Sequence, residues 1–123
     1  MTKIIKVSIV DDEVDLLDIA AAFLADMGYT AYCAEDSAGA LAIIDQHRDI
    51  DLMLTDMIMP GGVNGAELAQ KVRQLLPQVK IIYCSGFPAE GLVDRILPVV
   101  DAPLLRKPYQ RADFETAIRM ALE

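Results

Sequence analysis

The stretch from Asp51 to Gly62 constrains the fold more than any other part of the chain. Its apolar run, residues 52–54, predicts a buried strand, and turn-forming residues 60–62 follow soon after. Asp56 therefore stands where a core strand gives way to a loop. In an open parallel sheet, ligands bind outside the carboxyl ends of the strands. Asp56 is thus either a reactive carboxylate or an ordinary turn residue.

Strand and helix patterns alternate five times along the chain. Strands are predicted near residues 4–10, 29–34, 51–55, 79–84 and 103–106, and helices near 14–27, 37–47, 65–76, 88–97 and 111–122. Asp36 is predicted to begin the second helix and Gly28 to end the first. The fourth helix is weak, because Gly91 lies inside it and Pro98 ends it, and Pro103 places the fifth strand at a sheet edge. This alternation predicts an α/β fold, a parallel sheet with helices on both faces.

Composition argues against several classes of protein. The chain has 123 residues, of which 54% are hydrophobic, and a formal net charge of -8. This acidity argues against direct nucleic-acid binding, which needs cations to neutralise phosphates. We expect a cytoplasmic protein without membrane contact, because the sequence shows neither an apolar run of the ~18 residues that span a bilayer nor a signal peptide. Cys33 and Cys84 fall in predicted strands, and we interpret them as reduced core residues.

Polar side chains follow four of the five predicted strands. Asp11 and Asp12 follow the first strand, Asp56 the third, Ser85 the fourth and Lys107 the fifth. If the strands are parallel, these five groups meet at one edge of the sheet. Singly, the acidic pair could cap a helix, and the others could be ordinary loop residues. Jointly, they indicate one coherent chemistry.

That chemistry is phosphoryl transfer. Three neighbouring carboxylates repel one another unless a cation lies among them. Mg²⁺ takes oxygen ligands and often combines one or two carboxylates with a substrate phosphate. One carboxylate can then attack phosphorus and form an aspartyl phosphate. Lys107 would pair with phosphoryl oxygens and Ser85 would donate a hydrogen bond to another.

Four sequence motifs, in order, resemble those of the response-regulator receiver domain of two-component signalling. They are residues 10–13 (Val-Asp-Asp-Glu), 54–61 (Leu-Thr-Asp-Met-Ile-Met-Pro-Gly), 83–86 (Tyr-Cys-Ser-Gly) and 106–109 (Arg-Lys-Pro-Tyr). The resemblance covers essentially the whole chain and implies one receiver domain, residues 1–123. It also implies a flavodoxin-like, five-stranded sheet in the order 2-1-3-4-5, with the site between strands one and three.

The resemblance implies a role for each site residue. Asp56 would be the phosphoacceptor, Ser85 the switch hydroxyl and Lys107 the phosphate-binding lysine. The implied Mg²⁺ ligands are Asp11, Asp12, Asp56 and the backbone carbonyl of Ile58. Of the acidic pair Asp11 and Asp12, one would bind directly and the other directly or through water.

The implied function is a phosphorylation switch rather than a turnover enzyme. A histidine kinase or a phosphotransfer protein would donate the phosphoryl group, and the altered surface would bind a downstream partner. The implied output face is the predicted fourth helix, fifth strand and fifth helix, although its apolar residues fit core packing equally well. The sequence leaves open a homodimer, and it leaves open a standalone regulator or a receiver from a hybrid histidine kinase.

Several residues near the site distinguish this chain from the commonest receiver pattern. Leu104 stands three residues before the lysine, where receivers often carry a Tyr or Phe that reorients with the hydroxyl. The loop at 60–65 is one residue longer than the usual form. Ile58 and Phe87 are predicted to limit the approach of water to the phosphoryl group, and Tyr109 is predicted to pack beside the site.

Three rival classes fit less well. A phosphatase that forms an aspartyl phosphate would usually carry a second Asp at position 58, where this chain has Ile58. A flavodoxin-like electron carrier needs a phosphate-binding loop after strand one, but residues 11–13 would repel a phosphate without a metal. A nucleotide-hydrolysing enzyme would need a GxxxxGK loop, which the sequence lacks.

Overall fold

The chain folds as alternating strands and helices in a computed structural model that describes residues 4–57, 65–85, 104–107 and 109–123. The strands are β1 (Lys6–Val10), β2 (Thr30–Ala34), β3 (Leu52–Asp56), β4 (Lys80–Ser85) and β5 (Leu104–Arg106). The helices within the described ranges are α1 (Val14–Asp26), α2 (Ser37–Gln46), α3 (Gly65–Leu75) and α4 (Arg111–Leu122). Here α4 is the last helix predicted from the sequence. None of these helices combines the length and the apolar character needed to cross a bilayer.

Some predicted features lie outside the described residues. They are Ile58, Phe87, the loop before Gly65 and the weak helix near 88–97, which is one of the three elements of the predicted output face. For Ser85 and Leu104, the structure describes the backbone but not the side chain.

The five strands form one parallel sheet in the order β2-β1-β3-β4-β5, which is the order that the resemblance implies. β1 lies between β2 and β3, so the chain reverses its direction of travel across the sheet at this point. The crevice outside the carboxyl ends of β1 and β3 is therefore the topological switch point, where open α/β sheets bind ligands. β5 lies at the edge, as Pro103 predicted.

Apolar side chains cover both faces of the sheet. Val7 and Ile9 of β1 pack in a cluster with α1 and α4, whereas Val10 packs on the other face with α2 and α3. Every residue of β3 is buried. Because alternate side chains of a strand point to opposite faces, a strand covered on both faces must be apolar at nearly every position. The continuous apolar runs of the sequence follow from this arrangement.

The prediction that both cysteines are core residues is right for Cys84 and wrong for Cys33. Cys84 is 1% exposed in the central part of the sheet, whereas Cys33 is exposed. Cys33 belongs to β2, an edge strand whose residues before Ala34 are at most partly buried. An apolar strand sequence does not reveal whether helices cover both faces of that strand.

Two helix ends agree with their predicted caps. The Asp36 carboxylate accepts a hydrogen bond of 2.7 Å from the backbone N–H of Gly39 at the start of α2. After α1, Gly28 has a φ of 81°, its N–H donates to the Ala25 carbonyl, and the Tyr29 N–H donates to the Leu24 carbonyl. This pair of bonds is a Schellman motif, which places a left-handed residue after the helix.

We expect Gly28→Ala to lower the free energy of unfolding by about 1 kcal/mol, because an L-residue is strained in the left-handed region. A Cβ at Gly28 would have no heavy atom within 4 Å, so steric contact contributes nothing to the loss. Urea unfolding measures the change. Gly28→Asn is the matched control and should lose less, because Asn tolerates this conformation better. Equal stability of Gly28→Ala and the native chain would contradict this account.

Candidate functional site

Asp11 directly follows β1 and is 1% exposed. Its backbone N–H donates to the Ala34 carbonyl at 3.0 Å, so pairing between β1 and β2 continues past the end of the strand. Its Oδ1 accepts a hydrogen bond of 2.9 Å from the Glu13 N–H. This local turn fixes the carboxylate just before α1 begins, and it leaves Oδ2 to face the switch point.

Asp56 is the last residue of the buried strand β3 and is only 7% exposed. Pairing also continues beyond it, because the Met57 N–H donates to the Cys84 carbonyl at 3.1 Å. The Thr55 hydroxyl donates to the Asp56 backbone carbonyl at 3.1 Å. The backbone around Asp56 is thus held by β4 and by the Thr55 hydroxyl, and its carboxylate emerges beside that of Asp11.

The acidic residues predicted at the site do come together. Asp11, Asp12 and Asp56 each place one carboxylate oxygen so that all three oxygens lie within 4.8 Å of one another. Asp11 and Asp56 are buried, whereas Asp12 is exposed. Three oxygen donors at this separation, two of them shielded from water, form a donor set suited to a hard divalent cation.

Lys107 also reaches this cluster, from the position directly after β5. Its Nζ donates to Asp11 Oδ2 at 2.8 Å and lies 3.3 Å from Asp56 Oδ2. The lysine side chain is 4% exposed. Burial alone would lower the pKa of Lys107, but the hydrogen bond that Lys107 donates to Asp11 and the charges of Asp11 and Asp56 outweigh it and raise the pKa. The ammonium is therefore charged at neutral pH and bridges two carboxylates.

Of the remaining predicted site residues, Ser85 ends β4, where its backbone pairs in register with Arg106 of β5. The backbone of Ser85 thus lies at the same edge of the sheet as Asp56. Its hydroxyl is outside the described part of the structure. Ile58 lies outside the described residues altogether.

Gly65 contributes to the site in a way that the sequence analysis missed. Its N–H donates to the Met57 carbonyl at 2.8 Å, which joins the start of α3 to the end of β3. A Cβ at Gly65 would lie 2.3 Å from the Asp56 backbone oxygen. Only glycine allows α3 to approach Asp56 this closely. A sequence signal was present, since glycine is a poor residue for the first turn of a helix unless close packing requires it.

Tyr109 packs beside the site, as predicted. It is 8% exposed and belongs to the same buried cluster as Cys84, which lies on β4 next to Ser85. Burial raises the pKa of Cys84 to about 12 and also raises the pKa of Tyr109. Both groups are therefore neutral at physiological pH and add no charge to the acidic cluster.

We expect Gly65→Ala to lower the free energy of unfolding by about 1–3 kcal/mol, because the new methyl group would displace the Asp56 backbone. Gly39→Ala is the matched control: the atom nearest to its Cβ is the Asp36 side-chain oxygen, at 3.1 Å, which can move. Chemical denaturation gives the energies, and amide spectra should show displaced Asp56 and Met57 signals for Gly65→Ala alone. Similar stability and spectra for the two variants would contradict the steric account.

The crowding of carboxylates predicts opposite effects for two neutral substitutions, measured with a chelator present. Asp56→Asn should raise the free energy of unfolding by about 1 kcal/mol, because it relieves repulsion between buried charges. Lys107→Met should lower it by about 3 kcal/mol, because it leaves the carboxylates without the ammonium that bridges them.

The control is Asp45→Asn, which makes the same change in net charge as Asp56→Asn, but at an exposed ion pair with Arg48. We expect it to alter the free energy of unfolding by less than about 0.5 kcal/mol. If Asp56→Asn destabilised the chain, or if Lys107→Met had no effect, carboxylate repulsion would not govern this site.

Comparison with known proteins agrees with this arrangement. Residues 7–119 match the family model of the response regulator receiver domain. The response regulator receiver protein CpdR of Brucella abortus is 28% identical over 117 residues, which are 95% of this chain and 96% of that protein. The sensor kinase CckA of the same organism is 32% identical over 103 residues, which are 81% of this chain but 11% of the kinase.

Solved structures show the same architecture. A receiver domain protein from Clostridium thermocellum has a TM-score of 0.83 and 25% identity, covering 97% of this chain and 94% of that one. A receiver protein from Sinorhizobium medicae has a TM-score of 0.82 and 27% identity, covering 98% and 95%. With the acidic cluster, the lysine and the sheet order in place, the chain belongs to the response regulator receiver domain family of two-component signalling.

Proposed function

We propose that this chain accepts a phosphoryl group on Asp56 from a histidine kinase or a phosphotransfer protein. The observation that carries the proposal is the convergence of Asp11, Asp12, Asp56 and Lys107 at the switch point of the sheet. Asp56 is the member of this group at the end of the central strand, where pairing with β4 and a hydrogen bond from the Thr55 hydroxyl fix its backbone. A fixed nucleophile lowers the entropic barrier to attack.

In the proposed reaction, a carboxylate oxygen of Asp56 attacks phosphorus and forms an aspartyl phosphate. The bond between phosphorus and the donor's leaving atom breaks, and the leaving group departs with that electron pair. Lys107 is near enough to pair with the new phosphoryl oxygens, since its ammonium already lies 3.3 Å from Asp56 Oδ2. The Ser85 hydroxyl, at the end of the adjacent strand, would donate a hydrogen bond to another phosphoryl oxygen.

Asp11, Asp12, Asp56 and the Ile58 carbonyl would hold Mg²⁺. Support comes from the donor set itself, three carboxylates whose oxygens lie within 4.8 Å of one another beside a single lysine ammonium. When bound, Mg²⁺ supplies positive charge that reduces the repulsion between these carboxylates and an incoming phosphate. The exposed Asp12 and the buried Asp11 then differ in role: Asp11 also orients Lys107, whereas Asp12 faces solvent and serves the cation alone.

Phosphorylation would act as a switch because it changes the charge that Lys107 balances. The ammonium bridges Asp11 and Asp56 in the unmodified chain. A phosphoryl group on Asp56 adds negative charge and new acceptor oxygens, so Lys107 and the loop ends around it must adjust. The proposed output is a changed face for a downstream protein, made by the predicted helix near 88–97, β5 and α4.

The kinase partnership has support from the relatives. The match to the sensor kinase CckA covers 103 residues, so a segment similar to this chain lies within a protein named as a kinase. The resemblance implies that such a receiver would take its phosphoryl group from a histidine. We therefore propose a phosphoacceptor of a cytoplasmic phosphorelay, which modifies itself and does not turn over a separate substrate.

Incubation with acetyl phosphate and Mg²⁺ should add one phosphoryl group, which intact mass measures. We expect no addition to Asp56→Asn, and little without Mg²⁺. Asp12→Asn should raise the Mg²⁺ concentration required by about tenfold or more, because it removes one ligand. Beryllofluoride, which imitates the phosphoryl group, should shift amide signals of β5 and α4.

The matched control is Asp51→Asn, which removes a carboxylate from the amino end of the same strand, where Asp51 accepts from the Lys6 N–H. It should be phosphorylated like the native chain. Incorporation into Asp56→Asn at the native rate would contradict the proposed acceptor, and full incorporation with a chelator present would contradict the proposed role of Mg²⁺.

A further inference from the structure

The position of Lys107 needs an explanation, because the strand before it is a weak anchor. β5 has three residues and pairs with β4 alone, at the edge of the sheet. Short edge strands are held by few hydrogen bonds. Yet the ammonium at the end of a flexible four-carbon side chain lies within hydrogen-bond distance of Asp11 and close to Asp56. A second anchor among the described residues after Lys107 would explain how the ammonium is held in this place.

Tyr109 lies two residues after Lys107, and its side chain enters the core. Its ring centroid is 5.3 Å from that of Phe114, with an angle of 59° between the planes. Tyr109 also belongs to the same buried cluster as Cys84 of β4. Cys84 is itself fixed, because its backbone pairs with Leu105 and its carbonyl accepts from the Met57 N–H. Tyr109 therefore packs between α4 and the strand that lies next to Asp56.

Phe114 gives this packing a rigid base. It is 0% exposed, and it meets Phe23 of α1 edge to face, with 5.4 Å between centroids. Arg111 lies over the same Phe23 ring at 6.0 Å and pairs with Asp26 at 3.0 Å. The three aromatic rings thus run from the turn after Lys107 to the contact between α1 and α4. Aromatic pairs of this geometry add stabilisation beyond their buried area.

We propose that Tyr109 is the positioning residue for Lys107: its ring, packed between Cys84 and Phe114, fixes the turn so that the ammonium bridges Asp11 and Asp56. The ring contributes more than the hydroxyl, because a thiol is a weak hydrogen-bond acceptor. The proposal extends the proposed function. It rests on that function only in the experiment that measures phosphorylation. Under this proposal, an aromatic residue at position 109 helps to hold the site, in a chain that has Leu rather than an aromatic residue at position 104.

The test compares four variants: Tyr109→Leu and Tyr109→Met, which remove the ring, Tyr109→Phe, which keeps it, and Tyr32→Leu. Tyr32 is the matched control, because its ring stacks on His47 at 4.3 Å on the other face of the sheet. The first readout is the ¹⁵N signal of the Lys107 ammonium, assigned with Lys107→Met. A buried ion pair slows proton exchange, so this signal should be visible in the native chain without any phosphoryl donor.

We expect Tyr109→Leu and Tyr109→Met to lose the Lys107 signal and Tyr109→Phe and Tyr32→Leu to retain it. The second readout is phosphorylation by acetyl phosphate at saturating Mg²⁺. Loss of the ring should slow it by about tenfold or more, because a misplaced lysine no longer stabilises the developing charge. The affinity for Mg²⁺ should not fall, because the carboxylates that would hold the ion remain. Tyr109→Phe should react at the native rate. A general loss of stability in the ring-less variants would not explain that difference.

The proposal is overturned if Tyr109→Leu or Tyr109→Met keeps both the ammonium signal and the native rate. It is also overturned if Tyr32→Leu, at equal loss of stability, loses the signal to the same extent. Should one ring-less variant fail to fold, the other decides. If the native chain accepts no phosphoryl group, the proposed function fails, and the ammonium signal still decides whether Tyr109 positions Lys107.

Discussion

The buried ion pair between Lys107 and Asp11 is the interaction on which the arrangement of the site depends. Both side chains are almost fully buried, and their atoms meet at 2.8 Å. An isolated charge in this place would be very unfavourable, so each group requires the other. The pair joins residues 96 positions apart in the chain. It can form only after β1 and β5 have taken their places in one sheet, so it ties the site to the completed fold.

The parallel sheet makes that meeting possible, because it collects the ends of separate strands at one edge. Continued backbone pairing beyond β1 and β3 extends this order to Asp11 and Met57. α3 adds a third constraint, since Gly65 brings it against the backbone of Asp56. Backbone hydrogen bonds and helix packing thus fix the positions of Asp11 and Asp56, so that the carboxylates are held close together despite their mutual repulsion.

Much of the fold and of the site could be predicted from the sequence, because periodicity and strand-end chemistry are local signals. The carboxylates and Lys107 were found because polar residues after apolar strands stand out. The features that escaped prediction are those that depend on how closely one element packs against another. The close approach of Gly65 to Asp56 and the exposure of Cys33 are set by what packs against each residue. The pattern of residues within one segment does not specify which other segment packs against it.

The site also illustrates why a stable domain can carry an unfavourable cluster. Asp11 and Asp56 are buried beside each other, and Asp12 adds a third carboxylate at the surface. Repulsion among them opposes folding, and the apolar clusters on the two faces of the sheet offset it. Because Lys107 balances only part of the negative charge, the cluster remains sensitive to any cation or anion that enters it. The repulsion between carboxylates lowers stability, and the same repulsion makes this edge of the sheet responsive to a change of charge.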